Sequence, residues 1–393
     1  MVYFTVLARG ISKFANPTDF NRLKAEMLCY GVDVESSKLR ELVRSQNPFN
    51  EIRSGLGYGW YVRLENGMFV NTSVYFGYNR DSPLKAEFQA DEIVLFKDGK
   101  PVTALIPLNP PEWYFEKTSS GKEMGRIFQQ HGKNALASAI YADCQLFSRS
   151  EECKFCRIGD GTDLGNLKIK SIQDLVETAV RAKKYNPKYE VDLNGGTTYT
   201  AGTGFEIFIP RVSAIRKALP DTRIAVEAAP PLENRFIDDI VEAGANVLMM
   251  NLELWDESMR QKYCPGKANM IPRERYFEAL EYAISRLGKG NVSSCLIAGL
   301  EDPRSTIEGA KFLVDLEVIP SILPYRPLNP DKIDPSIRIL PEDFIAISRD
   351  VANYITKAGL KPMGQAGCVG CTGCSLEANL ARQPYTTPLI PPP

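Results

Sequence analysis

Histidine is almost missing from this chain: its 393 residues include one, His131. Any zinc site would therefore need four thiolates, and His131 itself reads as structural rather than catalytic. A dominant charge is missing as well. Lys and Arg number 47 against 48 Asp and Glu, a formal net charge of −1, with both signs interspersed. That balance leaves no electrostatic footprint for nucleic acid or an anionic membrane, and makes a charged polymer a poor substrate. No apolar run reaches the roughly 18 residues of a membrane span. The start, Met-Val-Tyr-Phe-Thr-Val-Leu-Ala-Arg-Gly, lacks the basic-then-apolar layout of a signal peptide. The expectation is a soluble, cytoplasmic protein.

Cysteine, by contrast, is concentrated. Of nine cysteines, six fall in two tight clusters, Cys144/Cys153/Cys156 as C-x8-C-x2-C and Cys368/Cys371/Cys374 as C-x2-C-x2-C. Cross-linking cysteines so close in sequence is sterically poor, and a disulfide framework would spread them along the chain. Metal ligation is the better reading. Zinc remains the bland alternative for either cluster, although each has only three thiols. Cys29 and Cys295 read as buried small hydrophobes, and Cys264 lies on a loop that can face a site.

The chain divides by periodicity. Over residues 1–115, Asn16-Pro17-Thr18-Asp19 opens a helix from Phe20 to Cys29, and a second runs from Ser36 to Val43. Two hairpins then follow, turning at Asn66-Gly67 and Asp98-Gly99. This predicts an N-terminal α+β leader domain. Residues 116–360 alternate strands with amphipathic helices: strands at Ala135–Tyr141, Tyr189–Leu193, Arg223–Ala228, Asn246–Leu252, Val292–Ala298 and Ile319–Leu323. Helices are expected at Ile172–Lys184, with Ser171 as N-cap, and at Ile207–Leu219, Glu233–Ala243, Arg275–Leu287, Ser305–Leu316 and Pro341–Lys357. Parallel strands with right-handed crossovers follow from that alternation. The predicted fold class is α/β, a partial (βα)6 TIM-like barrel, with residues 361–393 as a loop-like tail carrying the second cluster. Reactive groups then belong on loops at the carboxyl ends of the strands, where the first cluster lies.

A three-cysteine loop after the first strand of a six-unit barrel resembles the radical S-adenosylmethionine (SAM) superfamily. Phe155 stands between the last two cysteines as that motif prefers, while the usual spacing there is C-x3-C-x2-C. Gly195-Gly196-Thr197-Thr198 resembles the superfamily's Gly-Gly-Glu, which receives the SAM amino group, with threonine in place of the acid. The stretch from Cys295 to Glu301 resembles the adenine-side G-x-I-x-G-x-x-E pattern through Ile297, Gly299 and Glu301. By likeness to the biotin synthase and lipoyl synthase branch, Glu253 and Arg275 contact SAM, with Arg273 as fallback for the arginine. Glu227 is the weaker strand-end carboxylate. Cys-Lys-Phe-Cys-Arg-Ile-Gly and Tyr-Cys-Pro-Gly-Lys-Ala look like the radical SAM family found in nitrilase gene clusters.

The resemblance implies a [4Fe–4S] cluster on Cys144, Cys153 and Cys156 with SAM on its free iron, yielding a 5′-deoxyadenosyl radical. Cys368, Cys371 and Cys374 match the first three ligands of a ferredoxin run, so an auxiliary [4Fe–4S] cluster is expected, with Ser375, a distant cysteine, water or substrate as fourth ligand. Lipoyl synthase-like sulfur insertion is the leading expectation, on an octanoyl carrier-protein substrate, with ferredoxin or flavodoxin as electron donor and a second radical SAM subunit as partner. The runner-up is radical dehydrogenation or rearrangement of a small molecule, the auxiliary cluster serving as anchor or electron acceptor. A non-catalytic iron–sulfur protein is the third. Arg326 is weighed between a substrate clamp and a surface salt bridge.

Overall fold

The computed structural model describes residues 19–46, 48–49, 59–74, 81–159, 167–362 and 368–381. Two helices come first, α1 (Phe20–Tyr30) and α2 (Ser37–Gln46). The Asp19 carboxylate opens α1 by accepting from the amides of Asn21 and Arg22, both at 3.1 Å, which satisfies two donors that a helix start otherwise leaves unpaired.

Five strands follow: β1 (Gly59–Leu64), β2 (Phe69–Ser73), β3 (Leu84–Gln89), β4 (Glu92–Lys97) and β5 (Lys100–Pro107). They form an antiparallel sheet in the order β2-β1-β5-β4-β3. Both expected hairpins are present. Asp98 and Gly99 have φ of 49° and 75°, and the pairing of Lys97 with Lys100 leaves them as a two-residue turn of the kind that matches strand twist. Strand β3 was not expected. It returns into β4 through Ala90-Asp91, a turn without glycine, with Ala90 held at φ 53°.

The second sheet contains β6 (Gln129–His131), β7 (Ala135–Tyr141), β8 (Glu190–Gly195), β9 (Ile224–Glu227), β10 (Val247–Met249), β11 (Val292–Ala298) and β12 (Ile319–Pro324). Its order is simply sequential, with β6 antiparallel to β7 and the six strands from β7 to β12 parallel. Sequential parallel strands linked by helices give the curled, open half-barrel expected. Every residue of β7 and β11 is buried, which is why both read as unbroken apolar runs rather than alternating ones. The crossover helices are Ile172–Tyr185, Phe205–Ala218, Arg235–Glu242, Arg273–Leu287 and Pro303–Asp315, followed by Pro341–Lys357. Among the described residues no helix is long and apolar enough to cross a membrane.

The first crossover helix shows how local chemistry fixes the barrel. Ser171 accepts from the Asp174 amide at 3.1 Å, and the buried Asp174 carboxylate in turn accepts from Ser171 Oγ (2.6 Å), Ser120 Oγ (2.6 Å) and Lys122 Nζ (2.7 Å). Burial pushes the Asp174 carboxyl up, but the bonds from Lys122, Ser120 and Ser171 outweigh it and hold the pKa far below the usual range. A depressed carboxylate stabilises the fold above its unfolded pKa and loses that contribution as pH falls toward the folded value. Asp174→Asn is therefore expected to cost about 2 kcal/mol at neutral pH. Thermal unfolding across pH should show the deficit shrinking below about pH 4.

Candidate functional site

Cys144 sits just past β7, and the backbone around it is closed tightly. Gly196 N–H donates to Tyr141 O (2.7 Å), Gln145 N–H to Thr197 O (2.9 Å), and Thr197 N–H to Cys144 Sγ (3.3 Å). A Cβ on Gly196 would lie 2.5 Å from Cys144 Cβ and 2.9 Å from Cys144 N, so only glycine allows this approach. The long Cys144 to Cys153 spacing is absorbed locally. Phe147–Arg149 makes one 3-10 turn, Ser150 reverses the chain at φ 57°, and Glu151 N–H returns to Leu146 O at 3.0 Å. Cys153 and Cys156 then form a turn of their own, with Cys156 N–H donating to Cys153 O at 2.9 Å.

These three cysteines line a cavity of about 860 Å³ at the carboxyl ends of the parallel strands. Phe155, Gly195, Gly196, Thr197, Glu253 and Ile297 line it as well. Arg275 does not: its guanidinium donates instead to Pro231 O (2.8 Å) and Asn234 Oδ1 (2.7 Å). Arg273 lies over the Trp255 ring. Gly299 is also off the cavity wall, turning at φ 104° against Ile339.

A cation that lines the cavity beside the first triad's residues is Lys267, which sequence pattern did not single out. Its ammonium pairs with Glu253 Oε1 at 2.8 Å, and both side chains are largely buried. Burial opposes the charge on Lys267, but Glu253 outweighs it and the pKa is raised. Glu253 itself has φ 72°, a conformation unfavourable for a residue with a Cβ and one found at sites where strain is held by the surroundings. Cys264 is fully buried outside the cavity. Its thiol donates to Cys153 and, with Lys267, holds the Cys153 thiol below its ordinary value despite burial.

The second triad reaches the same cavity. Cys368 and Cys374 line it, and Cys371 lies against Gly132, where a Cβ would come within 2.9 Å of Cys371 O. Ser375 does not line the cavity; its hydroxyl bonds the buried Glu377 carboxyl. The cavity is also lined by Asp192, Glu227 and Asn251. Asn251 Oδ1 accepts from Cys295 N–H (3.0 Å), which turns its amide toward Glu227 Oε1 (2.7 Å) and orients that carboxylate. Burial, then Glu227, push the Cys368 thiol well up. Arg326 is not a surface ion pair: it is buried, lines the cavity, and donates to Leu28 O (3.2 Å) and Asn71 O (2.6 Å).

The donor set of the first triad fits an iron–sulfur cluster: three thiols that line the cavity would leave one corner of a cubane free for a further ligand. Cys264 does not convert the first triad into a four-thiol ion site. Among the described residues no group of three or more histidine, cysteine or acidic side chains is gathered to hold a single metal ion.

The sequence of residues 144–313 matches the family model for the Radical SAM superfamily, beginning at Cys144. Among curated proteins the chain is 22% identical over 325 residues to the bacteriochlorophyllide c C-7(1)-hydroxylase of Chlorobaculum limnaeum, covering 78% of this chain and 77% of the relative. Among solved structures it is similar to methylornithine synthase, at 15% identity, with a TM-score of 0.46 over 68% of this chain and 74% of that one. It is also similar to coproporphyrinogen III oxidase of Escherichia coli, at 17% identity, with a TM-score of 0.38 over 62% of this chain and 58% of that one.

Proposed function

We propose that this chain, whose residues 144–313 form a radical SAM domain, removes a hydrogen atom from a small molecule held between its two cysteine triads. The observation that carries this reading is that Cys144, Cys153 and Cys156 line one cavity together with Cys368 and Cys374 of the second triad. Cys144, Cys153 and Cys156 would hold a [4Fe–4S] cluster, which with bound SAM would supply one-electron reductive cleavage of the sulfonium and so a 5′-deoxyadenosyl radical.

The chain's own residues bind, orient and exclude water. Lys267, fixed by Glu253, offers an ammonium for the SAM carboxylate, taking the place that the sequence pattern gave to Arg275. The backbone of Gly195, Gly196 and Thr197 borders the amino-group side. Phe155 and Ile297 supply apolar wall. Asp192 and Glu227 line the cavity, where either carboxylate could meet a positive group on the substrate. The second triad, Cys368, Cys371 and Cys374, would hold an auxiliary [4Fe–4S] cluster beside that substrate. A ferredoxin or flavodoxin is the electron donor such chemistry needs.

Sulfur insertion, the leading expectation from sequence, gains no support from the curated relative, which is named as a hydroxylase. A radical reaction that leaves the second site whole is the better reading. The test uses reduced, anaerobic protein with SAM and the small-molecule fraction of cells grown in deuterated water. Deuterium should appear in 5′-deoxyadenosine, and acid-labile sulfide should stay constant. Transfer from the protein fraction alone, with loss of sulfide, would restore a carrier-protein substrate and sulfur insertion.

A further inference from the structure

The segment before residue 116 lies outside the matched superfamily region, yet three of its side chains converge on the C-terminal cysteines. We infer that Lys24, Tyr61 and Asn71 are positioning residues that complete the second cysteine site and raise the reduction potential of the cluster held there. The inference rests on the two-cluster reading above.

Lys24 carries the argument. It is fully buried on α1, and its ammonium donates to Thr372 O and, at 2.8 Å, to Asn379 Oδ1. Both acceptors are neutral. A lysine almost never sits fully buried unless an anion balances it, because removing an ammonium from water is expensive. Burial lowers the Lys24 pKa to about 8, and Cys374, Cys371 and Glu377 act against that fall. Two further donors stand on the same sulfurs from the antiparallel sheet. Asn71 Nδ2 on β2 lies 3.5 Å from Cys374 Sγ, and Tyr61 Oη on β1 lies 4.0 Å from Cys371 Sγ. The Asn71 backbone N–H also donates to Gly373 O at 2.8 Å, locking tail to sheet.

A positive charge and N–H or O–H donors aimed at cluster sulfurs stabilise the reduced, more negative state more than the oxidised one. The N-terminal unit is thereby the outer half of the second cluster's cage rather than a separate module.

The experiment is an anaerobic redox titration followed by EPR on the full chain in a Cys144/Cys153/Cys156→Ala background, where the second cluster is read alone. Lys24→Met is expected to move its midpoint to more negative potential. Tyr61→Phe, which deletes one hydroxyl and keeps the ring, should move it the same way by less, and serves if Lys24→Met folds poorly. A midpoint unchanged in the foldable variants overturns the inference. If the background protein binds no iron at all, the two-cluster reading itself has failed, a different outcome from an intact cluster whose potential does not move.

Discussion

Single replacement of Cys144, Cys153 or Cys156 by alanine is expected to abolish release of 5′-deoxyadenosine from SAM and to remove about four irons per chain while about four remain. The three positions are not redundant. Thr197 N–H holds the Cys144 sulfur, and the Gly196 backbone leaves no room for Cys144 to move. Cys153 and Cys156 close one turn, so losing either leaves two thiols facing the cavity. The buried Cys264 contacts Cys153 from outside the cavity and is not placed to substitute. Iron analysis beside chromatographic detection of 5′-deoxyadenosine checks both halves. Retained cleavage in all three variants would remove these cysteines from the chemistry.

The second large effect concerns Glu253 and Lys267. Removing one partner of a buried ion pair strands the other charge, which costs about 3–5 kcal/mol. Glu253→Gln and Lys267→Met are each expected to lower Tm by several degrees. The double variant should recover most of that loss, because no unpaired charge is left. SAM binding follows a different pattern: it should weaken in Lys267→Met and stay weak in the double variant, since the ammonium proposed to meet the carboxylate is gone from both. Because the Lys267 pKa is raised, the stability that its ammonium contributes is present below the ordinary lysine range and fades as pH rises through the folded value. Equilibrium dialysis with SAM, beside thermal unfolding, separates the two roles. Full SAM affinity in the double variant would remove Lys267 from the site.

Much of this architecture is legible in the residue order, for reasons that can be named. Strand β11 and the helix Pro341–Lys357 match their expected bounds residue for residue, one as an unbroken apolar run, the other as an amphipathic stretch opened by proline. Strand β3 escaped because Lys85, Glu87 and Gln89 face outward and its turn carries no glycine or proline to mark it. Lys267 escaped for another reason. It lies on a short helix, Pro265–Met270, seated on the cysteine loop: a Cβ on Gly266 would fall 2.6 Å from Glu151 O. That seat is a tertiary contact, and sequence pattern pointed instead to the better helix start near Arg273 and Arg275. The meeting of Lys24 and Asn71 with the tail spans some 300 residues of chain, beyond any local signal.

Two cysteine triads meeting at one cavity, each holding a cluster, is the claim on which the account stands, and metal analysis tests it most directly. Anaerobically reconstituted wild type should contain about eight irons and eight sulfides per chain, falling to about four of each in Cys368/Cys371/Cys374→Ala. Equal iron in the two proteins, or zinc in place of iron in either, would contradict it.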